Sequence, residues 1–144
     1  MKYCEVNYKY RQAEDDETHT RIIGYRCHTD LIDLYEDGRM VFRKNYCWDG
    51  CSGPTWDDKT NMVPGRNHDG KYQFLRLGQL PQSVRCIADE ELKVEILERS
   101  AAKTKNPIKK KFYELRAWYY YEGVDHGAAY AARYGTEPKI LEAP

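Results

Sequence analysis

The sequence predicts an α+β fold, with an antiparallel sheet first and helices after it. Three observations carry this expectation. The N-terminal part alternates apolar and polar positions, as in "KYCEVNYKY", where Cys4, Val6, Tyr8 and Tyr10 share one face. The stretch from Cys47 to Asn67, "CWDGCSGPTWDDKTNMVPGRN", is punctuated by glycine, proline and aspartate. Beyond it, apolar residues recur at helical spacing. The chain reads as a single domain over residues 1–144, with 1–46 β-rich, 47–66 a glycine/proline loop and 67–144 helical.

Taken in order, "KYCEVNYKY" is a half-buried strand, the acidic run "EDDETH" a solvated loop and "TRIIGYRCH" a second strand. "DLIDLYEDGRMVFRKNY" has a hairpin signature, with Asp37-Gly38 supplying the positive backbone angles of a tight turn between two apolar arms. The sum is a sheet of three or four antiparallel strands. The loop that follows is too long for a plain connector, and such loops inside small domains tend to be functional. Trp48 and Trp56 equally suit a structural Ω-loop packed onto the sheet. A first helix is expected from about Asn67 to Leu77, stopped by Gly78. A second is expected from about Gln82 to Lys103, and a third from about Pro107 to Gly123, with Pro107 in its first turn. The tail "GAAYAARYGTEPKILEAP" suits a short helix and an extended end.

Composition narrows the function classes. The 23 basic and 23 acidic residues balance, which removes the global electrostatic case for nucleic acid. No apolar run reaches the length of a membrane span. The N-terminus "MKYCEVNYKYRQ" lacks a signal-like apolar core, so the expected location is the cytoplasm. Thirteen tyrosines against three phenylalanines suit half-buried sites and interfaces, because Tyr buries a ring and keeps a hydroxyl. Five cysteines, an odd number at scattered spacing, read as reduced thiols. Cys47 and Cys51 stand four apart, but no second pair follows at zinc spacing.

The sharpest chemical signal is Asp89. Between Leu92 and Ile96 on one side and Cys86 and Leu97 on the other, it lies near the middle of the apolar face of the second helix. A carboxylate there needs hydrogen-bond donors. The preceding antiparallel helix offers His68 and Tyr72, four apart and so on one face. A carboxylate held by the imidazole N–H and the phenol O–H is satisfied, and leaves the other imidazole nitrogen as a base. Arg85, one turn before Asp89, is an alternative partner. Asn67 reads as an N-cap, which would put His68 in a first turn where the helix dipole disfavours imidazolium. Asp69 points to a different side, where its carboxylate and loop carbonyls would suit Ca²⁺.

These residues resemble a known constellation. His68-Asp69-x-x-Tyr72, followed by Ala88-Asp89 on the next helix, is similar to the catalytic core of the phospholipase A2 superfamily, closest to the disulfide-free version in parvovirus capsid proteins. The resemblance implies a helical hairpin in which His68 activates water, Asp89 orients it and Tyr72 supports Asp89. It also implies Ca²⁺ held by Asp69 and by carbonyls of the loop at Trp48, Gly50 and Gly53. More of the chain, through "WDGCSGPT", "HDxxY", "AD" and "RAWYYYEGV", resembles a family of small phage and prophage proteins.

The expected activity is therefore Ca²⁺-dependent hydrolysis of a phospholipid or other acyl ester. The other reading is a non-catalytic phage structural or host-interaction protein, located in the host cytoplasm or virion with virion components as partners. "KTKNPIKKKF", with Lys103, Lys105, Lys109, Lys110 and Lys111, reads as a solvated helix start or as a patch drawn to anionic headgroups. A His-Asp metal phosphohydrolase would need further imidazoles, and His19, His28 and His126 stand at no ligand spacing.

Overall fold

A computed structural model of the chain describes residues 2–3, 10–50, 59–127, 132–133 and 141–142. The expected architecture is present: antiparallel strands first, then three helices. The strands are β1 (Lys2–Tyr3), β2 (Tyr10–Arg11), β3 (Asp16–His19), β4 (Cys27–His28), β5 (Ile32–Leu34), β6 (Arg39–Phe42) and β7 (Cys47–Trp48). Helices α1 (Met62–Arg76), α2 (Arg85–Lys103) and α3 (Pro107–Gly127) follow, and β8 (Leu141–Glu142) closes the chain. The main sheet runs β3-β6-β5-β4, all antiparallel, while β1 pairs with β8 and β2 with β7.

The sheet buries one face through period-2 alternation. Ile32 and Leu34 on β5 register with Phe42 and Met40 on β6, and all four are fully buried. The β5–β6 turn differs from the expected one. Only Gly38 carries a positive φ, at 86°, and Gly38 N–H donates to Tyr35 O at 2.9 Å. Tyr35 N–H meets Arg39 O at 2.9 Å across the strand ends. The result is a three-residue loop ending in a left-handed glycine, a common alternative to the two-residue turn.

Two further expectations are corrected. "EDDETH" is not a loop, since Asp16–His19 forms the edge strand β3 against β6. An edge strand is held by its backbone ladder and can leave its side chains in water, so apolar alternation was no guide to it. "TRIIGYRCH" is mostly irregular: Gly24 takes a φ of 82°, and only Cys27–His28 joins the sheet. Cys4, Val6 and Tyr8 of the first expected strand lie outside the described residues, as does most of the loop after Gly50, including Trp56.

α1 begins at Met62, five residues before the expected start. Pro64 and Gly65 sit inside its first turn, where a missing N–H costs nothing because that donor has no helical acceptor anyway. Its end matches expectation. Gly78 at φ 70° lets its N–H reach Leu75 O at 3.1 Å, while Gln79 N–H reaches Phe74 O at 2.9 Å, which is a Schellman stop. A 3₁₀ turn, Gln82–Val84, leads into α2. Asn106 caps α3, its Oδ1 accepting from Ile108 N–H at 2.9 Å ahead of Pro107's ring in the first turn.

α1 lies directly on the sheet. A Cβ at Gly70 would stand 2.8 Å from the Phe42 ring, so the absent side chain sets how closely the helix approaches. Core side chains from sheet, α1 and the start of α2 form one cluster, and Leu92, Ile96, Ala117 and Tyr120 form a second between α2 and α3. Cys27, Cys47 and Cys86 are free thiols, and burial pushes the Cys27 thiol up to about 11. Among the described residues, no helix is long and apolar enough to cross a membrane.

Candidate functional site

His68 and Tyr72 stand one turn apart on α1, and their rings meet at 4.1 Å between centroids. Both reach Asp89 on α2. His68 Nε2 lies 2.9 Å from Asp89 Oδ1, and the Tyr72 hydroxyl donates to the same oxygen at 2.7 Å. Arg85 Nη1 donates to Oδ2 at 3.1 Å. The two partners weighed for Asp89 in the sequence are thus both engaged. The Asp89 side chain is 0% exposed and that of His68 only 7%, so the contact is made out of water.

A carboxylate only accepts hydrogen bonds, so the proton of a neutral His68 sits on Nε2 and its second nitrogen, Nδ1, is the basic one. Burial holds the His68 imidazole below its ordinary 6.5. Asp89 works against that shift, while the nearby charges of Lys71 and Arg85 add to it. His68 is therefore neutral at pH 7. The helix-dipole cause expected from the sequence does not apply, because α1 starts six residues earlier and His68 lies beyond its first turn. Burial also raises the Tyr72 phenol above its ordinary 10.0, keeping it a donor to Asp89.

Asn67 is not an N-cap; Asn61 holds that position, without a side-chain cap bond. Asn67 is buried inside the helix and belongs to a second polar cluster that the sequence reading missed. Lys71, 1% exposed, places Nζ 2.5 Å from Glu91 Oε2 and 3.9 Å from Glu95 Oε1. Asn67 Nδ2 donates to Glu95 Oε2 at 2.9 Å. Thr20 Oγ1 donates to Glu91 Oε2 at 2.6 Å, and Arg21 N–H to Oε1, tying α2 to the chain after β3. Burial pushes Glu91 up, but Lys71, Thr20 and Arg21 together outweigh it and leave its pKa below the ordinary 4.5. Glu95, where burial wins, lies above 4.5. A signal for this cluster exists in the sequence. Asn67 and Lys71 are four apart on one helix, Glu91 and Glu95 four apart on the next.

The metal side of the expected site is less complete. Asp69 is half-buried on α1, about 100° around the helix from His68. Trp48 is buried in β7, and Gly50 is buried with a φ of 80°, a conformation that turns the chain just after the strand. Gly53 lies outside the described residues. Among the described residues, no group of three or more His, Cys, Asp or Glu side chains is placed to hold a metal ion. A Ca²⁺ shell made of one carboxylate and main-chain carbonyls does not require such a group, and the hard oxygens of Asp69, Trp48 and Gly50 suit that ion by chemistry.

A third dyad lies on the other face of the sheet. His28 Nδ1 is 2.5 Å from Asp33 Oδ1, and Arg43 Nη2 donates to Asp33 Oδ2 at 2.7 Å. His28 is 70% exposed there, whereas Asp33 is buried, so these partners satisfy a carboxylate on the sheet's outer face. No known protein family, curated protein or solved structure matches this chain at a significant level.

Proposed function

We propose that the protein is a phage-encoded hydrolase of acyl esters, of phospholipase A2 type, with His68 as general base. One observation carries the reading: a neutral imidazole and a fully buried carboxylate, 2.9 Å apart on adjacent helices, with Tyr72 and Arg85 completing the carboxylate's partners. In this reading His68 Nδ1 takes a proton from water as the water oxygen attacks the acyl carbonyl. Asp89 holds the Nε2–H tautomer and stabilises the imidazolium that forms. The same proton then passes from Nδ1 to the leaving alkoxide as the tetrahedral adduct collapses. Asp69 with the carbonyls of Trp48, Gly50 and Gly53 would hold Ca²⁺, which when bound polarises the ester carbonyl. A phospholipid is the substrate class that the HDxxY…AD resemblance implies.

The test is acyl release from phospholipid vesicles with added Ca²⁺, with chelator present or absent, for the parent chain and His68→Ala. Release that depends on both Ca²⁺ and His68 supports the assignment. Equal release from parent and variant removes His68 from the role.

A second reading has its own support in the Lys71–Glu91 pair, which fastens the same two helices by the same means. In it the protein is a non-catalytic phage structural or host-interaction protein, and His68–Asp89 serves only folding. That reading expects His68→Gln to keep full biological activity.

A further inference from the structure

One face of α3 carries large apolar side chains in the open. Ile108 is 80% exposed, Phe112 51%, Leu115 57% and Tyr119 45%. At 3.6 residues per turn these four fall within about 60° of one another, forming a continuous stripe along three turns. Trp118, 53% exposed, borders it. The face buried against α2 is a different one, made by Ala117 and Tyr120, while buried Arg116 donates to Thr60 Oγ1. The stripe is therefore not needed to hold α3 in place.

The lysines are arranged around that stripe. Lys109 and Lys111 project roughly 70–90° to either side of it, Lys103 and Lys105 stand at the same end of the helix, and Lys110 points to the far side, all exposed. Lys111 pairs with Glu114 at 3.3 Å, and Glu114 lies on the side away from the stripe. Apolar centre, lysine flanks and bordering Trp and Tyr are the layout of a helix lying in a bilayer interface. The stripe enters the acyl boundary, while long cationic side chains reach back to the headgroups.

We infer that the exposed stripe of α3, with its lysine collar, is a docking face for an anionic lipid surface. Charge complementarity selects this occupant. The lysines are a local surplus of positive charge beside an apolar stripe, and an anionic lipid surface offers negative headgroups and an acyl boundary together along the length of the helix. This goes beyond the hydrolytic reading and does not depend on it, since docking needs no turnover.

The experiment is vesicle flotation in chelator, with phosphatidylcholine alone and with phosphatidylcholine mixed with phosphatidylglycerol. The parent chain is expected to float only with the anionic vesicles and to be released by salt. Each lysine near such a surface is worth roughly fivefold in partitioning, so Lys109→Gln/Lys111→Gln should lose on the order of twentyfold. Ile108→Glu/Leu115→Glu should abolish flotation while retaining parent-like helical circular dichroism. The lysine double variant, altered only at solvated positions, carries the test if the glutamate variant loses its fold. His68→Gln should float as the parent does, which separates failure of docking from failure of hydrolysis. The inference is overturned if neutral vesicles bind equally, if the lysine variant floats undiminished, or if sedimentation finds a dimer that Ile108→Glu dissociates.

Discussion

At Asp89, three donors from two helices converge on one carboxylate, and their removal has different costs. Tyr72→Phe takes away one charge-assisted hydrogen bond at 2.7 Å and leaves two donors in place. The expected loss is about 1.5–3 kcal/mol in a urea titration, with activity retained at reduced level. Asp89→Leu is harsher. It leaves a buried imidazole N–H, a buried phenol O–H and a partly buried guanidinium without their acceptor, and should destabilise by roughly 3–5 kcal/mol. The pH–rate profile follows from His68. A base must be neutral, and burial places the imidazole below its ordinary 6.5. Hydrolysis measured as kcat/KM should therefore be on its plateau at pH 7 and fall only on acidification below about 6.5, the slope marking loss of the neutral form. A profile still rising above pH 7.5 would mean that a group other than His68 is the base.

On the scale of elements, Gly70 shows how sheet and helix are matched. In isolation, Ala at this α1 position would gain up to about 1 kcal/mol in helix propensity. In the fold its Cβ would lie 2.8 Å from Phe42 Cε1 and 2.9 Å from Cζ, and Phe42 is fully buried with Arg66 stacked on its ring at 4.3 Å. The buried ring would have to shift against these packed neighbours, so overpacking outweighs the propensity gain and Gly70→Ala should lower stability by about 1–3 kcal/mol in denaturant unfolding. The same helix marks the limit of what the sequence discloses. Its end was readable because a glycine at the stop position has one main conformational use. Its beginning was not, since Pro64-Gly65 punctuates a loop and a first helical turn equally well. The Asp89 constellation was legible because a carboxylate amid Leu92 and Ile96 demands donors, and i, i+4 spacing supplied them. Lys71, Glu91 and Glu95 escaped notice because charged residues four apart normally decorate a solvated face, and only the sheet laid over them turns that face inward.

For the molecule as a whole, the buried ionisable groups predict how stability varies with acidity, and the signs can be worked group by group. His68 has a folded pKa below its unfolded value of 6.5, so between the two the unfolded chain binds more protons. Its contribution is complete above about pH 6.5 and is lost as the pH falls below that value. Glu91 and Asp33 are also depressed. For each, burial acts upward, while Lys71, Thr20 and Arg21 at Glu91, and His28 and Arg43 at Asp33, act downward more strongly. Their contributions hold above the unfolded values of 4.5 and 3.8 and disappear as acid carries the protein below them. Glu95 runs the other way, because its raised pKa means that protonation on the way down toward 4.5 relieves a buried charge. Urea midpoints between pH 8 and pH 3 should therefore decline in two stages, one starting near 6.5 and a steeper one below 4.5, with Glu95 flattening the interval between them. The first stage belongs to one imidazole wedged between two helices. His68→Gln, which keeps a hydrogen-bond donor for Asp89 but cannot take up a proton, should erase that stage and leave the second. A variant that still loses stability between pH 6.5 and 5 would assign the upper stage to another group and would break the link between His68 burial and its neutral state.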